Sequence, residues 1–491
     1  MANICSVRIG LLVGLVTMGP SISCAQTDDF TAQYDAFKQQ IRRDYGDFRN
    51  QCNAKYAEFL KQVWSEYKVL PAIPRPKDET IPPTDFPKDK ENSPIKNNEV
   101  SIDGVIISVT PPQPTPIAPI QENKETEEKS FTFYYMNTPC QVRLPQDLHL
   151  HLSNNSNEAI AQAWNILAGD KMNNTIRDFL LLRLKMQLCD WAYLNIIDAF
   201  AKASYGNSNE ATLLSAFIYC QSGYQMRLAR TGNRLCMLYG SKHCIYEKEH
   251  FVIDGTNYYT LDQDVATLEI CNYAFPQEQP LSLYISQSPL LANKSSEKRI
   301  LKASFNTDMH TSVEVNMNLI RFYEKYPTSQ LGEDFMTRWA MYAETPMAND
   351  IKTHLYPSLR DMLEGLTDLE AANKLLNWVQ TAFVYEYDDK VWGHDRAFFA
   401  EETLYYPYCD CEDRAILFTR LVRDLLGLKC ALVYYPGHLA SAINFGGGAK
   451  GDFLLIDGIQ FTICDPTYIG APVGRTMPQM DNRSATVILL Q

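Results

Sequence analysis

Three residues of this chain could act together as a reaction centre. Cys411 opens the run Cys-Glu-Asp-Arg-Ala, which leads into an apolar stretch, Ile416 to Leu426, that Gly427 ends. His438 follows 27 residues later, and Asp465 another 27 after that. The pattern predicts a helix beginning at Cys411 and two later strands carrying His438 and Asp465. A helix N-terminus offers free N–H groups and partial positive charge, which favour thiolate over thiol. His438 would take the thiol proton and later return it to a leaving amine. Asp465 would hold the imidazole tautomer, and the Cys411 N–H would form part of an oxyanion hole. Trp392, Gln380 and the tyrosines before Cys411 are the candidates for its second donor. The competing reading has Cys411 and Cys409 buried or disulfide-bonded and His438 as a core residue.

Other chemistry-bearing residues are weaker candidates. His149 and His151 could share a strand face, but no third ligand lies nearby at metal-site spacing, so they read as an exposed pair. Glu401 and Glu402 are adjacent and do not converge as an acid/base pair, which leaves a solvated or capping role. Gly446-Gly447-Gly448 lacks the Lys-Ser/Thr of a phosphate cradle and reads as a hairpin between the His438 strand and Asp452 to Ile456. No cofactor or metal is called for.

These elements must be positioned by the rest of a 491-residue chain, long enough for two to four domains. A net charge of -13 without a basic cluster argues against nucleic acid as a partner. Residues 1–25 resemble an export signal: Arg8, an apolar stretch from Ile9 to Met18, Pro20, and small residues at Ser23-Cys24-Ala25. Ser21-Ile22-Ser23-Cys24 loosely matches a lipobox, so cleavage after Ala25 and lipid attachment at Cys24 are both open. Lipid at Cys24 would be the chain's only membrane link, since the apolar run is too short to span a bilayer. Export would put the cysteines in an oxidising compartment, where Cys236 with Cys244, and Cys430 with Cys464, are the easiest pairs.

The segment 26–70 carries apolar residues at helical spacing from Phe30 to Val63, predicting one or two amphipathic helices with a possible break at Gly46. Residues 71–130 form a linker; Pro71 to Pro119 holds 12 of the 26 prolines and is expected to be extended and mobile, with a short strand at Val105 to Val109. Residues 131–275 read as helices (Ile176 to Leu188, Asn195 to Ala203, Glu210 to Gln221) followed by strands (Tyr224 to Ala229, Leu235 to Tyr239, His250 to Ile253, Tyr258 to Leu261). Residues 276–349 connect them to a last block, 350–491, which holds the candidate site.

The last block echoes the middle one. A shift of 204 residues puts Ala211 on Ala415, Leu213 on Leu417, Phe217 on Leu421, Gly223 on Gly427 and Leu228 on Leu432. With one residue of slack, Ile253-Asp254-Gly255 meets Ile456-Asp457-Gly458, and Asp262 meets Asp465. The agreement favours an internal duplication in which Asn207 replaces Cys411 and Arg234 replaces His438.

The motifs Asp410-Cys411-Glu412-Asp413, Gly437-His438-Leu439-Ala440 and Asp465-Pro466-Thr467-Tyr468 together resemble the bacterial transglutaminase-like superfamily of papain-like Cys-His-Asp thiol enzymes. Cys409 stands where the family has Gly, which places a second thiol next to the nucleophile. The resemblance runs from Ala371 to Ile469. It implies an α+β, papain-like domain with the nucleophile helix on an antiparallel sheet, and the internal repeat adds a degenerate copy before it. It also implies a peptidase, amidase or transglutaminase working through a thioester on a protein or peptide. With the leader-like residues 1–25 the expectation is an exported enzyme of the periplasm or envelope, with a cell-envelope peptide among its candidate substrates. The alternative is a non-catalytic envelope binding protein on the same scaffold.

Overall fold

The computed structural model describes residues 24–77, 81–90, 93–101, 106–107, 109, 120–261, 265–305 and 308–491. Of the leader expected at 1–25, residues 1–23 lie outside them, and Cys24 and Ala25 begin the first helix. Among the described residues no helix is long and apolar enough to cross a membrane. The protein is α+β, with helices packed on antiparallel sheets.

The N-terminal amphipathic pattern forms one uninterrupted helix, Cys24–Leu60, running through Gly46. Its C-terminal turns bury Cys52, Tyr56, Ala57 and Leu60 against the middle block, where the Tyr56 ring meets Trp164 edge-on at 4.5 Å. The helix stops at Leu60, short of the end of the 26–70 segment. Ser65–Lys68 is instead an edge strand, antiparallel to Thr267–Cys271, because this extended stretch satisfies an otherwise open sheet edge.

The middle block follows its sequence pattern closely. Helices Asn173–Lys185, Asp190–Tyr205 and Asn209–Gln221 precede strands Met226–Thr231, Arg234–Ser241, Phe251–Ile253 and Thr256–Thr260. In its sheet the order is Ser65–Lys68, Thr267–Cys271, Met226–Thr231, Arg234–Ser241, Thr256–Thr260, Phe251–Ile253. The last block has Thr486–Leu489, Cys430–Tyr435, His438–Ile443, Ile459–Cys464, Asp452–Ile456 in the corresponding order, all antiparallel. In each block a helix feeds a hairpin, and a second hairpin docks by its second strand. The tips of the second hairpins match in backbone as well: Asp254 and Asp457 both have φ +49°, and Gly255 and Gly458 have φ +76° and +75°. Both central residues of this two-residue loop lie at positive φ, which Asp-Gly accommodates.

That topology revises one expectation. Gly446 to Gly448 does not close a hairpin, because Ile459–Cys464 sits between His438–Ile443 and Asp452–Ile456. Nor are the two candidate disulfides formed: Cys236, Cys244, Cys430 and Cys464 are not disulfide-bonded. Cys430 and Cys464 lie on strands that flank His438–Ile443 on opposite sides. Two strand spacings are about 9–10 Å, beyond disulfide reach. Cys244 belongs to a separate two-stranded ladder with Ser329–Leu331, away from the Cys236 ladder partner Ala229.

The proline-rich segment is extended, as its composition requires, but its described parts are docked rather than free. Asn98–Ser101 adds in parallel to Asp452–Ile456, and Ile106–Ile107 adds in parallel to Thr486–Leu489. The segment thereby covers both edges of the last sheet. Thr84–Asp85 pairs in parallel with Tyr468–Ile469, and Phe86, Ile107, Val109 and Ile120 are buried. Proline lacks an N–H, yet edge positions need only the alternate residues to pair, so the segment remains compatible with strand addition.

Candidate functional site

Cys411 is the first residue of a helix, Cys411–Leu426, that ends at Gly427 in the left-handed conformation (φ +69°). Apolar residues lie on most of its faces, and every residue from Cys411 to Val422 is buried. It is therefore the central helix of the block. The helix start is fixed by Asp413, whose carboxylate accepts from the N–H groups of Asp410 at 3.2 Å and Phe398 at 2.8 Å.

Arg414, itself buried, reaches back to the end of helix Asp368–Ala382. Its guanidinium donates to the carbonyls of Gln380 at 3.1 Å and Phe383 at 2.9 Å, meeting the negative end of that helix dipole. The opposite end of that helix is held by a reciprocal cap in which Thr367 Oγ1 accepts from the Glu370 N–H and Glu370 accepts from the Thr367 N–H, an arrangement worth about 1 kcal/mol.

His438 begins its strand straight after the two-residue loop Pro436-Gly437, with Tyr435 opposite it. Gly437 has φ +77°, the backbone state that lets the chain turn so tightly. His438 Nε2 is 2.9 Å from Asp465 Oδ2. Thr467 completes the arrangement: its N–H and hydroxyl both donate to Asp465 Oδ1, at 2.9 and 2.8 Å, and its Oγ1 is 3.3 Å from His438 Nε2. Burial alone would raise the Asp465 carboxyl; the His438 ring and the Thr467 donors outweigh it and hold the group below its ordinary value. His438 Nδ1 is buried and has no hydrogen-bond partner among the described residues. With Nε2 bound to the carboxylate, Nδ1 is the nitrogen left to accept a proton.

Cys411 lies against the same strand, where the Leu439 N–H favours its thiolate. Its Sγ, however, donates to Glu412 Oε2 at 3.1 Å. Burial, then Glu412 and Asp410, push this thiol well above its ordinary value. The expected dipole effect is thus outweighed in this conformation, because a partial charge cannot offset desolvation and two adjacent carboxyls. Cys411, His438 and Asp465 are 3%, 2% and 3% exposed.

Cys409 Sγ donates to the Val384 carbonyl at 3.9 Å, and burial pushes the thiol up to about 11. The expected oxyanion donors are engaged elsewhere. Gln380 Nε2 donates to the carbonyls of Asp465, Tyr468 and Ala471 at 3.0, 2.8 and 3.0 Å, which makes it a brace for the Asp465 loop. Trp392 packs on Phe398 and Tyr406 beneath Arg396. Tyr406 donates to Glu324 at 2.6 Å, the Tyr405 ring packs on Tyr406, and Tyr408 is exposed.

Sequence reasoning missed Tyr385. It pairs with Cys409, two residues ahead of Cys411, in a short parallel ladder. Its hydroxyl is buried without a hydrogen-bond partner. Burial raises this phenol, as do Cys411, Asp410 and Glu412. Also missed was a group of carboxyls around the helix start. Oxygens of Asp388, Asp410 and Asp413 lie within 4.8 Å of one another, as do those of Asp388, Asp395 and Glu412. These are the residues whose chemistry could hold a cation. Burial and mutual repulsion raise Asp388, Asp395, Asp410 and Asp413, while Arg338 pairs with Asp395 at 2.5 Å. Only pairing between distant acidic residues would have signalled this group, and no sequence periodicity carries that.

Glu401 and Glu402 are buried, not solvated, and both bind backbone. Glu401 accepts from the Ala348 N–H at 2.7 Å, Glu402 from the Phe399 N–H at 3.1 Å and from Arg396. His149 and His151 are both exposed, and His151 Nδ1 is 3.6 Å from Glu210.

In the middle block the helix that the 204-residue shift lays on the Cys411 helix starts two residues after Asn207. Asn209, not Asn207, heads the helix, and its Oδ1 accepts from the Leu235 N–H at 2.9 Å. Leu235 stands where Leu439 stands in the last block, one residue into the second strand of the hairpin. Arg234 opens that strand after a two-residue loop, as His438 does. Asp262 lies outside the described residues. No protein-family model, curated protein or solved structure matches the chain.

Proposed function

We propose that this chain is a thiol acyl-transfer enzyme acting on amide bonds, with a papain-like, transglutaminase-like catalytic unit in residues 350–491 and an inert copy of it in residues 131–275. The observation that carries the reading is the buried His438–Asp465 pair, with Nδ1 left unpartnered on the strand that packs against Cys411. In the reaction, His438 Nδ1 takes the Cys411 proton and the sulfur attacks the amide carbon. The tetrahedral oxyanion then collapses, and the amine leaves with the proton from His438. The resulting thioester is resolved by water, giving hydrolysis, or by an amine, giving cross-linking. Asp465, fixed by Thr467 and by the Gln380 brace, holds the imidazole orientation throughout.

The shared strand order of the two sheets, their matched Asp-Gly turns and the matched places of Asn209 and Cys411 support the duplication. The chain is further proposed to be exported to the periplasm or envelope and to take a protein or peptide substrate. Burial of Cys411 and its contact with Glu412 favour the second reading, a non-catalytic envelope protein on the same scaffold.

Alkylation of the reduced protein by iodoacetamide decides between them, read site by site by mass spectrometry. The enzyme reading expects Cys411 labelling that His438→Ala slows at least tenfold. A Cys411 rate that ignores His438→Ala sinks it. Release of peptide amide and incorporation of a fluorescent primary amine, measured in parallel, separate hydrolysis from transfer.

A further inference from the structure

The part of the proline-rich segment nearest the triad makes a regular set of backbone contacts. The Ile81 N–H donates to the Gly437 carbonyl at 3.0 Å, the Thr84 N–H to the Thr467 carbonyl at 3.3 Å, and the Phe86 N–H to the Ile469 carbonyl at 2.8 Å. Gly437 immediately precedes His438, and Thr467 is the residue whose hydroxyl meets both His438 and Asp465. The segment thus spans the two loops that carry the base and its orienting carboxylate. Pro82 and Pro83, between the first two contacts, need no hydrogen bond and keep the chain extended.

Its anchor is Phe86, 8% exposed, packed among Tyr468, Ala471 and Met477 with its ring edge-on to Tyr468 at 5.4 Å. Gln479 adds a side-chain bond to Thr84 Oγ1 at 2.8 Å. This is the contact pattern by which strand addition holds an extended peptide, with main-chain bonds along the backbone and one apolar pocket for a side chain.

Resting on the catalytic reading above, we infer that Gly437, Thr467 and Ile469 form the peptide-binding face of the enzyme, and that Ile81–Phe86 occupies it in cis as a covering strap. The ligand class follows from the contacts: an extended peptide, tolerant of proline at two successive positions, with an aromatic residue for the Tyr468–Met477 pocket. The near-complete burial of the triad is then a property of the covered form, and substrate enters only when the strap leaves.

The test uses the full mature chain and iodoacetamide. Thr84→Pro/Phe86→Ala removes one main-chain donor and the anchor. Cys411 labelling should rise at least tenfold while buried Cys220, in the middle block, stays unlabelled. A synthetic peptide of residues 81–90 should restore protection saturably, and the same peptide with Phe86→Ala should not. The milder Phe86→Leu should fall between the double variant and the native chain, so the inference survives a double variant that fails to fold. Equal Cys411 rates in Phe86→Leu and the native chain, Cys411 and Cys220 rising together in both variants, or no protection by the peptide would each overturn it. Adding His438→Ala to the uncovered variant separates this outcome from the catalytic reading. Fast labelling that ignores His438→Ala keeps the strap and defeats the triad, whereas slow labelling in the strap variants defeats the strap alone.

Discussion

Asn209 Oδ1 accepts from the Leu235 N–H at 2.9 Å, at the position in the middle block where Cys411 meets the Leu439 N–H in the last. The Asn209 amide also donates to the Asn233 carbonyl at 2.9 Å. A side chain that could carry a reaction in one block thus ties a helix to a hairpin in the other. Asn209→Ala removes both bonds and should cost about 1–3 kcal/mol, within the range for hydrogen bonds lost at a helix start. Urea unfolding measures the cost, and Cys411 alkylation in the folded variant should be unchanged. A change in Cys411 reactivity would mean that the middle block takes part in the chemistry.

Gln380 is a brace of the last block. One amide nitrogen serves three carbonyls around Asp465, and Gln380 Oε1 accepts from the Gly470 N–H at 3.1 Å. Gln380→Leu fills similar space but strands these buried backbone groups, with an expected cost of about 2–4 kcal/mol. Because the loop also positions Asp465, turnover should fall by about tenfold or more with little change in KM. A variant that loses stability but keeps full turnover would limit Gln380 to a structural part.

The contrast between these residues and the triad shows what the sequence conveys. The Cys411 helix is legible because apolar spacing and a terminal glycine mark it locally, and the middle helices and strands are legible for the same reason. Docking of Asn98–Ser101 and Ile106–Ile107 is not, because strand addition depends on open edges more than 350 residues away, on Asp452–Ile456 and Thr486–Leu489. Composition shows that the segment cannot build its own core. It does not show that another core has edges to cover. The bracing role of Gln380 and the placement of Tyr385 escape for a related reason, since each depends on groups distant in sequence, and Asn209 escapes because a helix start can slip two residues while the helix end stays aligned.

Stability should fall as the solution becomes less acid. Burial lifts Glu401 and Glu402 to about 7, ahead of the backbone and Arg396 contacts that pull them down. Each raised group leaves the folded state holding a proton that the unfolded chain releases above about pH 4.5. Stability therefore drops between about pH 4.5 and 7 and levels off above 7, by up to about 3 kcal/mol per group. The raised Asp388 and Asp395 act in the same direction. Tm measured from pH 5 to 8.5 should decline, and Glu401→Gln should flatten the decline. Tm that rises over this interval would contradict the burial argument.

Tyr385 offers a prediction in which stability and turnover separate. Its hydroxyl is buried with no partner, opposite Cys409 and in the field of Cys411. A buried O–H without an acceptor costs about 1–3 kcal/mol. Such a cost is sustained where the donor serves a state other than the resting one. On the proposed reaction that state would be the tetrahedral oxyanion on Cys411, and the phenol would supply the donor that Gln380 and Trp392 do not. Tyr385→Phe should leave the fold as stable as before or firmer by about 1 kcal/mol, while the acylation rate falls by about 10- to 100-fold. Alkylation of Cys411, which forms no oxyanion, should be unaffected. Single-turnover kinetics beside thermal unfolding make the comparison. Loss of stability with turnover intact would instead assign the hydroxyl to packing.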